Sequence, residues 1–128
     1  MAILTISRQM SSLGDEIAAT TARRLGWELV TRKTLLQLFF FSIVSANDLY
    51  MLNESSRYFL NRCQDQETYK EHLERALHAY AADHSAVLIG FGSQIIFAGD
   101  KDAIHVRVVA PQSIRVARVK KQYHVSDD

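Results

Sequence analysis

Hydrophobic and polar positions along this chain follow two rhythms in turn. Ala2–Ser7 (AILTIS) is a short β-branched run and predicts a strand. From Gly14 to Leu25 the inward positions Ile17, Ala18, Thr21, Ala22 and Leu25 repeat at helical spacing. Gly26 follows where a helix end wants a left-handed residue. Trp27–Val30 (WELV) predicts a second short strand, and Thr31 caps the next helix, which carries LLQLFFF. Ser45-Ala46-Asn47-Asp48 has the form of a capping box. It predicts one helix with Leu49, Leu52, Phe59, Leu60 and Cys63 on its inner face. A longer helix is predicted from Gln66 to Asp83, with the stripe Tyr69, Leu73, Ala76, Leu77 and Tyr80 and an ion pair between Glu71 and Arg75. Ser85–Gly90 (SAVLIG) is a continuous apolar run, as suits a strand covered on both faces. A short helix over Ser93–Ala98, a strand over Ile104–Ala110 and a helix from Pro111 to about Tyr123 complete the pattern.

The order is β-α-β-ααα-β-α-β-α. Strands alternating with helices predict an α/β fold with a parallel sheet of about four strands flanked by helices. The three helices at about residues 32–84 form an insertion beside the site. Ligands of such folds bind at the carboxyl ends of the strands, here Ser7–Gly14, Thr31–Lys33, Gly90–Ser93 and Ala110–Gln112.

Composition narrows this picture. At 128 residues the chain is expected to be one domain, 1–128. A formal net charge of +1 lacks the basic excess of a nucleic-acid binder. The single cysteine, Cys63, forms no internal disulfide, which points to a reducing, cytoplasmic setting. We read Cys63 as a small buried hydrophobe, since Arg62 beside it is too little to activate a thiol. Leu35–Val44 is the most apolar stretch, yet shorter than the roughly 20 residues that span a bilayer. We expect a buried helix there and no membrane contact; an exposed version would be a partner surface. Met1–Ser7 lacks the form of a secretory signal.

The chemistry concentrates in Ile6-Ser7-Arg8-Gln9-Met10-Ser11-Ser12-Leu13-Gly14-Asp15-Glu16-Ile17-Ala18, between the first strand and the first helix. A phosphate placed there meets free backbone N–H groups and the positive end of the helix dipole. Ser12-Leu13-Gly14-Asp15 also fits a capping box, and any strand-to-helix turn needs a cap, so both readings stand. The strict phosphate-loop pattern G-x-x-x-x-G-K-[ST] is not met.

Four segments, in order, resemble the cytidylate kinase-like family, relatives of the P-loop nucleoside monophosphate kinases. ISRQMSSLGDEIA is similar to I-S-R-[QE]-x-G-S-G-G-x-E-I-A. LGWELVTRKTL is similar to that family's second strand, L-G-x-x-[FY]-[YV]-D-[KR]-x-[LI]. AVLIGFGSQII resembles A-V-I-[VI]-G-R-[GC]-[AS]-x-[YI]-[IL]. IHVRVVAPQSIRVARV resembles H-V-[FR]-[IV]-x-A-P-x-x-x-R-[IV]-x-R-[VI]. The resemblance implies ATP-dependent phosphoryl transfer, with Mg²⁺, to CMP or a similar acceptor. It implies that Arg8, Ser11, Ser12, Leu13, Gly14, Asp15 and Glu16 hold phosphate, and that Arg115 and Arg118 neutralise charge in the transition state. It also places the residue at position 91, here Phe91, at the acceptor monophosphate, and Arg32 or Lys33 is expected to contact a substrate phosphate.

Departures from that pattern fall on the same residues. Ser11 and Leu13 replace glycines, and Gly14 stands at the lysine position of the strict loop. Asp15 either helps hold Mg²⁺ or favours the helix start; we take the second. Thr31 replaces an aspartate. Phe91 replaces the arginine of a Gly-Arg pair; it can stack on a base or pack into the core, but it cannot fork to phosphate. Arg115 and Arg118 share a helix face that Lys121 extends. The resemblance also implies a basic lid, a last strand and a closing helix after residue 128; without them a sheet edge or an apolar face is expected to be covered by dimerisation, by strand exchange or by a different packing of the LLQLFFF helix. No HExxH, CxxC or zinc spacing occurs, no Gly-x-Ser-x-Gly elbow, and Gly90-Phe91-Gly92 lacks the third glycine of a dinucleotide fingerprint. His105 reads as structural. The expectation is therefore a nucleotide or other phosphate ligand as partner, in a homo-oligomer. The alternative is a catalytically degenerate relative that serves as a binding or assembly module.

Overall fold

The computed structural model describes residues 1–62 and 66–124. Strands β1 (Ile3–Arg8), β2 (Glu28–Val30), β3 (Ala86–Ile89) and β4 (Ala103–Val108) form one parallel sheet in the order β2-β3-β1-β4. Every residue of β3 is buried, as its unbroken apolar run requires. Ile3 pairs in register with Ala86 and Ala103, and Ile6 with Ile89 and Val106.

Helix α1 (Gly14–Leu25) covers one face of the sheet. Its buried stripe is Gly14, Ala18 and Ala22, whose small side chains bring the helix close to β1 and β3. Ile17 and Leu25, expected inside, are about half exposed. Gly26 takes the left-handed conformation, at φ 69°, and its N–H returns to the helix end. Trp27 N–H bonds the Ala22 carbonyl, which closes the helix and aims the chain into β2.

The segment between β2 and β3 builds the other face. Helix α2 (Arg32–Phe39) is capped by Thr31, whose hydroxyl accepts from Thr34 N–H at 3.2 Å. Helix α3 (Ala46–Glu54) is capped by Ser45, which accepts from Asp48 N–H at 3.1 Å. Helix α4 (Tyr69–Asp83) is capped by Thr68, so it begins after Gln66. Leu35, Leu36, Phe40, Leu52, Phe59, Leu73 and Leu77 from this segment meet Ile3, Val30 and Leu88 of the sheet. Phe40 is central, with Phe59, Tyr69 and His72 edge-on to its ring at 5.8, 5.9 and 5.1 Å.

Three expectations are corrected here. The apolar segment after Thr31 is buried on one side only; Leu38, Phe41 and Ile43 are half or more exposed. A helix packed on one face buries a stripe, and consecutive apolar residues must run round to the other side. The helix begun at Ser45 stops at Ser55, which is extended, and a 3₁₀ turn over Ser56–Leu60 follows. That turn buries Phe59 and leaves Leu60 out. Cys63 lies outside the described residues. Arg75 pairs with Glu67, at 2.5 Å, instead of Glu71. Glu67 sits beyond the helix start, is the less exposed carboxylate and also faces His72.

After β3 come the short α5 (Ser93–Ile96), β4 and α6 (Gln112–Tyr123). Pro111 stands at the α6 N-cap, and no α6 residue is buried. Strand β4 is an edge with Ile104 66% exposed and Val106 41% exposed. Among the described residues no helix is long and apolar enough to cross a membrane.

Candidate functional site

Neighbouring strands β1 and β3 send their chains to opposite faces of the sheet, to α1 and to α5. A crevice opens where the two connections part. Arg8, the last residue of β1, stands at its centre. A Cβ on Gly14 would lie 2.4 Å from Arg8 Cβ, and a Cβ on Gly90 would lie 2.9 Å from Arg8 Nη1. Both glycines are therefore spaces for the Arg8 side chain, stem and guanidinium respectively. Arg8 Nε donates to Asp15 Oδ1 at 2.6 Å. Both partners are solvent-accessible, so the pair contributes at most about 1 kcal/mol of stability. Its importance is positional.

The loop between β1 and α1 keeps the backbone of a glycine-rich turn without its glycines. Ser11 and Leu13 lie at φ 58° and 68°. The left-handed region costs an ordinary L-residue roughly 1–2 kcal/mol, and such strain is held where a loop has a task. Leu13, not Ser12, occupies the α1 N-cap, and no side chain caps the helix. This overturns the capping-box reading of Ser12-Leu13-Gly14-Asp15. With Leu13 left-handed, Ser12 sits one residue too early to reach the helix amides. Its hydroxyl is buried with no hydrogen-bond partner among the described residues. The first bond back into the loop is Ile17 N–H to the Leu13 carbonyl. The amides of Gly14, Asp15 and Glu16 thus open outward at the positive end of α1.

These groups line a cleft of about 560 Å³ running from Arg8 to Glu16 and closed by Arg118, Gln122 and Tyr123 of α6. Arg118 Nη1 donates to the Ser11 carbonyl at 2.8 Å, across the whole length of the chain. Arg115 does not join it. Its Nε donates to the Ala110 carbonyl at 2.9 Å, and it lines a separate groove with Met10 and Val116. Gln122 escaped the sequence reading although it is one turn beyond Arg118, a spacing that places both on one side of the helix. Gln9 was missed as well. Its Oε1 accepts from Ala110 N–H at 3.0 Å and ties the loop to the end of β4, a link no local pattern signals.

A second cleft, of about 490 Å³, lies on the other side of the Arg8–Asp15 pair. Thr31, Arg32, Lys33, Gly90 and Phe91 line it with them. The Thr31 hydroxyl is engaged in capping α2. Arg32 donates to Ser56 Oγ at 2.7 Å and to the Asn53 carbonyl at 3.5 Å, both neutral, so among the described residues its charge faces the cleft without a carboxylate partner. Phe91 is held at φ 46° between left-handed Gly90 and Gly92. Beyond it a third cleft of about 470 Å³ shares Arg32 and Phe91. Arg8, Arg32, Lys33 and Arg118 outweigh Asp15 and Glu16, which suits an anion. No cluster of three or more His, Cys, Asp or Glu side chains occurs among the described residues. His105, outside the site, makes a 2.6 Å hydrogen bond with buried Thr5.

The profile of the cytidylate kinase-like family matches residues 3–128. A crystal structure of an uncharacterized protein from Eubacterium ventriosum ATCC 27560 is similar in fold, with a TM-score of 0.68 and 15% identity. The match covers 98% of this chain and 64% of that one, so this chain spans less than two thirds of that protein. At this identity the likeness concerns the fold alone. No curated protein matches the sequence.

Proposed function

The chain belongs to the cytidylate kinase-like family, and from that premise we propose that it binds a nucleotide and transfers its terminal phosphoryl group to a nucleoside monophosphate such as CMP. The observation that carries the reading is the pair of clefts meeting at Arg8 and Asp15, one at the positive end of α1 and the other lined by Arg8, Arg32 and Lys33. One suits a phosphate donor, the other a phosphate-bearing acceptor, and Arg8 borders both.

In this reading the amides of Gly14, Asp15 and Glu16 and the buried Ser12 hydroxyl receive the donor's phosphates. Arg118 leaves the Ser11 carbonyl to meet them. Arg8 takes the place of the absent lysine, since its stem fills the space beside Gly14. Arg32 and Lys33 hold the acceptor's phosphate. An acceptor phosphate oxygen attacks the γ-phosphorus of ATP, the bond from that phosphorus to the β–γ bridging oxygen breaks, and ADP leaves with the electron pair. The acceptor is a phosphate dianion, so the step needs no general base, and positioning and charge neutralisation supply the catalysis. Mg²⁺ would supply further neutralisation of phosphate charge, and Glu16, the carboxylate of this cleft not held by Arg8, is the residue that would face it. A single cysteine and this chemistry suit a cytoplasmic protein.

The test is a transfer assay with ATP, Mg²⁺ and each of the common monophosphates. ADP and the acceptor diphosphate should appear in equal amounts, and Arg8→Ala should abolish both. ATP that binds without any transfer would favour the second reading, a non-catalytic assembly module. The edge of β4, which no other strand pairs among the described residues and which has Ile104 and Val106 exposed, favours that one. Two copies pairing edge to edge about a twofold axis would satisfy it.

A further inference from the structure

The third cleft lies beyond Phe91, and nothing in the reading above assigns it a ligand. Phe59, Leu73, Ile95 and Ile96 supply its apolar lining, and Phe91 lines both this cleft and the one beside Arg8, Arg32 and Lys33. Its polar side chains are already engaged with one another. Arg32 donates to Ser56 Oγ at 2.7 Å, and Lys70 pairs with Glu74 at 3.5 Å. A site that reads a base edge presents fixed donors and acceptors that lack a protein partner; this one presents a ring and aliphatic walls.

Phe91 is also conformationally costly. At φ 46° it occupies backbone space that bulky side chains avoid, where glycine on either side pays nothing. Strain of this kind persists at ligand clamps. The ring is only partly buried and sits between a cationic pocket and an apolar one. We infer that this cleft takes the aromatic ring of the acceptor by stacking on Phe91, without reading its hydrogen-bonding edge. The acceptor class is then a phosphomonoester carrying a flat ring: any of the common nucleoside monophosphates, or an aryl phosphate. The inference rests on the proposed acceptor site, since the phosphate must be held by Arg8, Arg32 and Lys33 for the ring to reach Phe91.

Calorimetric titration of the whole chain with inorganic phosphate, phenyl phosphate, CMP, UMP, AMP and GMP tests it. Base stacking on an aromatic side chain commonly raises affinity about tenfold or more. The four nucleotides should therefore bind within about threefold of one another, and each, like phenyl phosphate, about tenfold tighter than inorganic phosphate. Phe91→Leu should reduce all of them to the level of inorganic phosphate, and Phe91→Trp should restore them, with thermal unfolding confirming that both variants are folded. Preference for one base by more than about thirtyfold in the unaltered chain, or full affinity in Phe91→Leu, would overturn the inference and leave the phosphate site standing. Absence of binding by every ligand, inorganic phosphate included, would overturn the acceptor site and the inference with it.

Discussion

Gly14 and Arg8 are packed so closely that a Cβ on the glycine would stand 2.4 Å from the Cβ of the arginine. The space at the position where a strict phosphate loop carries its lysine is thus filled from the side by the stem of a different cationic side chain. Gly14→Lys should not restore a stronger site. Either Gly14→Lys or Gly14→Ala should destabilise the chain by about 1–3 kcal/mol, the usual cost of overpacking, read as a lower midpoint in denaturant. Unchanged stability with tighter ATP binding in Gly14→Lys would contradict this role for Arg8.

Leu13 holds a left-handed backbone at the start of α1 with its side chain 44% exposed beside the cleft. Leu13→Gly removes that strain, while glycine's extra freedom in the unfolded chain opposes the gain. Net stability should change by less than about 1 kcal/mol. Affinity for ATP should rise several-fold, because phosphate can approach the bare backbone. Weaker binding on calorimetry would mean that the leucine side chain itself contacts the ligand.

Arg118 reaches back to the Ser11 carbonyl at 2.8 Å and thereby fastens α6, which has no buried residue, to the loop. A charged hydrogen bond of this kind to a ligand contributes about 1.5–3 kcal/mol. Arg118→Ala should weaken ATP binding by about tenfold or more and raise hydrogen exchange in α6. Arg115→Ala, whose guanidinium is turned to the Ala110 carbonyl, should affect ATP binding much less.

Asp48 accepts from Tyr58 Oη at 2.6 Å and from Tyr69 Oη at 3.3 Å, joining α3, the 3₁₀ turn and α4. The Tyr58 hydrogen bond holds the Asp48 carboxyl below its ordinary value of 3.8, and the same bond raises the Tyr58 phenol above 10.0. A lowered acid contributes stability above its unfolded value, lost as pH falls through the folded one. A raised phenol contributes stability below its unfolded value, lost as pH rises through the folded one. The tie therefore acts between about pH 4 and pH 10. Asp48→Asn should flatten the fall in thermal midpoint below about pH 4; an unchanged acid limb would remove Asp48 from that account.

The alternation of strands and helices could be read from the sequence because each element has its own punctuation: Thr31, Ser45 and Gly26 cap where local chemistry places them. The buried run of β3 was legible for the same reason. What was not legible depends on tertiary geometry. Nothing local reveals that Ser11, Leu13 and Phe91 adopt a conformation normally left to glycine. For that reason Ser12 was open to reading as a cap. The separation of Arg115 from Arg118 was equally hidden, because it depends on which carbonyl each guanidinium finds. The two-sided use of Arg8 needed β1, α1 and the turn after β3 in place together.

The most direct measurement of the central claim follows the backbone amides of residues 11–16 by nuclear magnetic resonance while ATP and Mg²⁺ are titrated into the whole chain. The account predicts saturable shifts at Gly14, Asp15 and Glu16 with sub-millimolar affinity, lost in Arg8→Ala. Shifts absent from these amides, in a chain that remains folded, would contradict it.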